Sequence, residues 1–111
     1  MDDTPMNTFE AMALEEKVIE VIRTCYDPEI PVNIHELGLI YGVKVEPTGA
    51  VGIKMTLTAP NCPAAQSLPI EVEGKVGSVE GVTDVNVDIV WDPPWEPSMM
   101  SEAAKLQLNM L

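Results

Sequence analysis

From Asn7 to Cys25 the apolar residues Leu14, Val18, Val21, Ile22 and Cys25 recur at helical spacing. They predict a helix over 8–24. Asn7 and Glu10 stand three apart at its start, as a capping box requires, and Pro28 ends it. From Asp27 to Gly38 the pattern breaks into a loop held extended by Pro28 and Pro31. Within it, Asn33, Glu36 and Gly38 read as cap, reciprocal partner and terminating glycine of one helical turn. The period then changes to two. Tyr41, Val43 and Val45 alternate with Gly42, Lys44 and Glu46. After a turn at Pro47-Thr48-Gly49, Val51, Ile53, Met55 and Leu57 alternate with Gly52, Lys54, Thr56 and Thr58. This is the pattern of an antiparallel hairpin with one face inward.

Helical spacing returns from Pro63 to about Val79, where Pro69 is expected to kink or split the helix. A third strand follows, with Val85, Val87 and Ile89 inward and Asp84, Asn86 and Asp88 outward. The run Asp92-Pro93-Pro94-Trp95-Glu96-Pro97 suits polyproline II. Ser98 reads as the cap of a last helix with Met99, Ala103, Leu106 and Met110 on one side. The order α-β-β-α-β-α implies a two-layer α/β (α+β) sandwich, a small three-stranded mixed sheet covered by helices. Its second and third strands, if parallel, are joined by a right-handed crossover. One domain over 1–111 is expected, frayed at 1–6, with a Pro/Trp loop at 91–98 and a terminal helix at 99–110.

Composition narrows what such a domain does. Of 111 residues, 46% are hydrophobic, which suits a folded core, while 18 acidic against 6 basic residues give a net charge of −12. Nucleic acid and anionic membranes need clustered Lys and Arg, and the basic residues here are scattered. The acidic N-terminus lacks the pattern of a signal peptide, and no apolar run reaches the ~18 residues of a membrane span. With two cysteines, the expectation is a cytoplasmic protein with reduced thiols.

Cys62 is the most informative residue. It falls where a strand ends and a helix begins, and Pro63 suits the first helical position, making Cys62 the N-cap. The helix dipole and free backbone N–H groups there favour thiolate, the form that attacks and binds metal; the alternative is a small buried hydrophobe. Cys25, at core spacing, reads as packing, and no CxxC pairs the two. Asp27 and Glu29 flank Pro28 and either tie the loop or serve a site. His35, the only histidine, reads as a surface-loop residue rather than a base. Trp91 and Trp95 either cover the core edge or, with Met99 and Met100, offer a stiff partner-docking surface.

Asp27-Pro28-Glu29-Ile30-Pro31-Val32-Asn33, Leu37-Gly38-Leu39-Ile40-Tyr41, Thr58-Ala59-Pro60-Asn61-Cys62-Pro63, Val90-Trp91-Asp92-Pro93-Pro94-Trp95 and Met99-Met100-Ser101 occur in one order. Together they closely resemble the iron–sulfur (metal–sulfur) cluster assembly family of SufT-like and PaaD-like proteins, from about Val18 onward. The resemblance implies an accessory role in metal–sulfur cluster biosynthesis: cluster transfer to, or maturation of, client proteins. It places the family's cysteine at Cys62, its Asp-Pro-Glu motif at Asp27, Pro28 and Glu29, and its strand-end threonine at Thr58. Two departures stand out: His35-Glu36 replaces other pairs, and Asn61 stands where glycine often precedes the cysteine.

Iron–sulfur clusters take about four thiolates. One thiolate from Cys62 therefore implies a transient cluster shared across a homodimer or with the assembly machinery and client apoproteins. The competing expectations are a pure adaptor that binds no cluster, and a thiol enzyme with Cys62 as nucleophile and Asp27, Glu29 or His35 as base.

Overall fold

A computed structural model describes residues 6–27, 30–58 and 64–108, with backbone alone at 64–66. Helix α1 spans Thr8–Ile22. Its capping box is complete: Asn7 Oδ1 accepts from the Glu10 N–H (2.8 Å), and the Asn7 N–H donates to Glu10 Oε1 (3.3 Å). The helix stops two residues short of the expected 24. Its end tightens into i→i−3 bonds, Thr24 N–H to Val21 O and Cys25 N–H to Ile22 O, both 3.0 Å.

Strands β1 (Ile40–Val45), β2 (Ala50–Met55) and β3 (Asp84–Ile89) form one sheet in that order. β1 and β2 pair antiparallel and β2 and β3 parallel, so the sheet is mixed and the order α-β-β-α-β-α holds. Gly49 turns the hairpin at φ 93°, where a side chain would be strained.

Helix α2 (Ala64–Gly77) crosses from β2 to β3 and is not split at Pro69, the second of the two outcomes expected there. Magnitudes explain this. Leu68, Val72 and Val76 are buried on α2, and burial contributes roughly 1.5–3 kcal/mol each. Together they outweigh the ~3 kcal/mol that an interior proline costs.

The inner sheet face, with Val51, Ile53 and Met55 at its centre, packs with Val18, Ile22, Cys25 and the buried residues of α2. Gly42, Lys44, Gly52, Lys54, Asn86 and Asp88 fall on the outer face by alternation. One inward assignment fails. A bulge between Ile40 and Gly42 shifts the register, so Ile40 packs on the core and Tyr41 does not follow Val43 and Val45 inward.

A 3-10 turn (Pro97–Met99) precedes α3 (Glu102–Gln107). The last helix is thus shorter than 99–110, and its cap is Ser101, not Ser98. Met100 is extended at ψ 149°, while Ser101 Oγ accepts from the Ala104 N–H at 3.1 Å. The shift in start rotates the helix face. Ala104 is buried and Leu108 packs on the core, whereas Leu106 is 63% exposed; Met110 lies outside the described residues. No helix among the described residues is long and apolar enough to cross a membrane.

Candidate functional site

The described residues on either side of Cys62 are those after β2, to Thr58, and the start of α2 at Ala64. On the strand side, Leu57 is buried beyond β2 and Thr58 is half-buried. On the helix side, α2 begins at Ala64 with no acidic residue in its first turn, so no helix carboxylate there opposes the positive dipole end. Cys62 and Asn61, like Glu29 in the preceding loop, lie outside the described residues.

The Asp27 loop is folded inward. Tyr26 and Asn33 form an isolated antiparallel bridge across it. Asp27 is buried at 4% exposure, and its Oδ1 accepts from the Ile30 N–H at 3.0 Å. Asn33 Oδ1 accepts from the Glu36 N–H at 2.9 Å, and Gly38 closes the turn at φ 82°. The cap-to-glycine reading of 33–38 therefore describes a hydrogen-bonded turn. His35 sits in this turn, 4.0 Å from Glu36 by its Nδ1, a buried atom without a hydrogen bond. Burial, followed by the Arg23 charge, lowers its pKa, leaving the imidazole neutral near pH 7.

Three sequence-distant motifs converge at one end of the sheet. After β3, the Val90 N–H bonds to Met55 O at 2.8 Å, and the chain then crosses as a strap over the 37–41 segment. Tyr41 donates its hydroxyl to Pro93 O at 2.7 Å and touches Met99 Sδ at 3.6 Å. Trp95 Nε1 donates to Leu37 O at 2.7 Å, and the Ser101 N–H reaches Glu36 O at 2.8 Å. Gly38 lies so close to the Met99 carbonyl that a Cβ would collide with it. Of the four residues expected at a partner face, Met100 is 6% exposed within the core and Trp95 packs against that core. Met99 lines a groove with Tyr41, and Trp91 remains 48% exposed.

That groove, about 720 Å³, is bordered by Gly38, Ile40, Tyr41, Lys54, Asp92 and Met99 among others. Sequence pattern alone does not mark Tyr41 or Lys54 as groove residues. The signal for Tyr41 was its place between Ile40 and Gly42 at a strand start, where a bulge turns an aromatic toward a loop. Thr56, at the end of β2, holds a fully buried Oγ1 without a hydrogen-bond partner, a feature that alternation alone does not reveal.

Cys25 is fully buried, and burial, with Glu71 nearby, pushes its pKa from 9.0 up to about 11. It stays a protonated packing group, unfit as nucleophile or ligand. No group of three or more His, Cys, Asp or Glu is placed to hold a metal among the described residues.

The arrangement defines a small α/β module with a three-stranded mixed sheet. The chain belongs to the iron-sulfur cluster assembly protein family, whose sequence model matches residues 15–89. It is 51% identical to an Fe-S protein maturation auxiliary factor of Porphyromonas gingivalis, over 92% of this chain and 97% of that one. It is also 39% identical to the auxiliary factor YitW of Bacillus subtilis, over 88% and 96%. A crystal structure of a domain of unknown function from Bacillus anthracis superposes with a TM-score of 0.87 at 33% identity, covering 95% of this chain and 100% of that one.

Proposed function

We propose that this protein is an accessory factor in the maturation of iron–sulfur proteins, with no catalytic step of its own, and that Cys62 lends one thiolate to a cluster in transit. The observation that carries the reading is the 51% identity, across nearly both full chains, with a factor named for that role. The thiol inventory supports the finer part. Cys25 is held protonated in the core, which leaves Cys62 as the available sulfur. Since a cluster takes about four thiolates, the remaining ligands come from a second copy, the assembly machinery or the client apoprotein. The cluster is cargo, and ligand exchange passes it on. Asp27, Glu29, Thr58 and Asn61 belong with Cys62 through the family motifs they share with it. Trp91, exposed, and Met99, half-buried in the groove wall, supply surface for docking. A cytoplasmic, reducing compartment suits the free thiols.

Anaerobic reconstitution with iron and sulfide, followed by iron counting and visible absorption, tests the cluster step. The wild type is expected to hold iron shared between chains, and Cys62→Ser is expected to hold none. A wild type that acquires no iron, alone or with a client apoprotein, overturns cluster lending and leaves the adaptor role.

A further inference from the structure

The outer face of the sheet holds two glycines where strands normally carry side chains. Gly42 in β1 faces Lys54 in β2, and Gly52 in β2 faces Lys44 in β1, so glycines and lysines alternate over the hairpin. Neither glycine has a positive φ, and a Cβ at either would meet nothing within 4 Å. Turn geometry and internal packing therefore explain neither, although glycine weakens a strand interior. The bulge beside Gly42 accounts for that glycine. Gly52 lies in unbroken register with both neighbouring strands, and for it the remaining physical reason is close approach by another molecule.

Chemistry at the rim indicates what approaches. The two glycines floor a trough of about 390 Å³ bordered by Tyr41, Lys44, Lys54 and Asp88. Tyr41 and Lys54 also border the larger groove beside the strap, so the two hollows adjoin. Lys44 and Lys54 are exposed and make no ion pair among the described residues, whereas Lys75 is engaged by Glu71 at 3.2 Å and by Thr24 O at 3.1 Å. Asp88 accepts from Asn86 Nδ2 at 3.4 Å. Asp88 stands opposite Lys54 in the sheet register. On a chain of net charge −12, the trough thus sets two ammonium groups, neither in an ion pair among the described residues and one of them beside a carboxylate, over an unobstructed backbone.

We infer that the outer sheet face is a docking trough for an extended, acidic segment of a protein partner. The segment's main chain lies against Gly42 and Gly52, and its carboxylate sits between Lys44 and Lys54. Opposite charges fix register and orientation, and the glycine floor admits a backbone that larger side chains would hold off. The inference stands independently of cluster binding.

The test is an NMR titration of the full chain with the capped peptide Ac-Thr-Val-Glu-Val-Thr-NH2 and its Gln and Lys counterparts. The Glu peptide is expected to shift the amides of Gly42, Lys44, Gly52 and Lys54, with the Gln peptide weaker by at least about fivefold. Gly52→Val is expected to raise the Tm by a few degrees, because valine suits a strand with open space above it. It should nonetheless weaken the peptide by about tenfold or more. Lys44→Ala with Lys54→Ala provides a second variant that leaves the floor intact and should also lose binding. The absence of shifts on this face at several millimolar peptide overturns the inference. So does equal binding by Glu and Lys peptides, or unchanged binding by folded Gly52→Val.

Discussion

Replacing Gly38 with alanine should disturb the strap more than its single added methyl suggests. The backbone there is at φ 82°, where an L side chain costs roughly 1–2 kcal/mol. The new Cβ would also overlap the Met99 carbonyl, which forces that segment away. The neighbouring bonds from Trp95 to Leu37 O and from the Ser101 N–H to Glu36 O then lengthen, each worth about 0.5–1.5 kcal/mol. The sum is about 3 kcal/mol, which at roughly 4 °C per kcal/mol lowers the Tm by about 12 °C. Gly74→Ala makes the same chemical change inside α2, where nothing lies within 4 Å of the new atom. It should stabilise by roughly 0.5–1 kcal/mol. Urea unfolding of both variants, followed by circular dichroism, measures the pair. A loss below about 1 kcal/mol for Gly38→Ala would refute the reasoning that the strap is clamped at this position.

Trp95→Phe removes the indole donor and leaves Leu37 O unpaired, so it should cost roughly 1–3 kcal/mol in urea midpoint analysis. Trp91→Phe, at an exposed position, should stay within about 0.5 kcal/mol. The folded pKa of Cys25 lies above its ordinary 9.0, at about 11, so its contribution is complete below pH 9 and is lost as pH rises through 11. Cys25→Ala should flatten that fall, and an unchanged profile would contradict the assigned cause. The His35 pKa lies below 6.5, so the unfolded chain takes up the proton first and stability drops as pH falls below 6.5. His35→Gln should reduce that slope in thermal melts taken from pH 7 to 5.

The parts of the fold readable in advance are those with a local cause. Asn7 and Glu10 cap α1 through side chains three residues apart. Val85, Val87 and Ile89 alternate on an edge strand whose other face is polar, and the structure keeps that alternation. What escaped reading depends on distant or subtle geometry. The bonds from Tyr41 to Pro93 and from Trp95 to Leu37 span 52 and 58 positions, so neither local spacing nor propensity reveals them. Trp95 therefore looked equally suited to docking and to covering the core. A bulge adds one residue to β1 without any composition signature, and Tyr41 was placed on the wrong face. The cap of α3 turned on a choice between Ser98 and Ser101, decided by the extended Met100 between them. At the site, the family motifs single out Cys62 and Asp27 as expectations, while Gly42 and Gly52 read as ordinary partners in an alternating strand.

The central claim is that Cys62 carries the function in iron–sulfur maturation while Cys25 only packs. The direct measurement is the activity of an iron–sulfur client enzyme in cells lacking this protein, complemented with wild type, Cys62→Ser or Cys25→Ala at matched abundance. Wild type and Cys25→Ala are expected to restore client activity, and Cys62→Ser to leave it at the level of the deletion. Full restoration by Cys62→Ser would contradict the account.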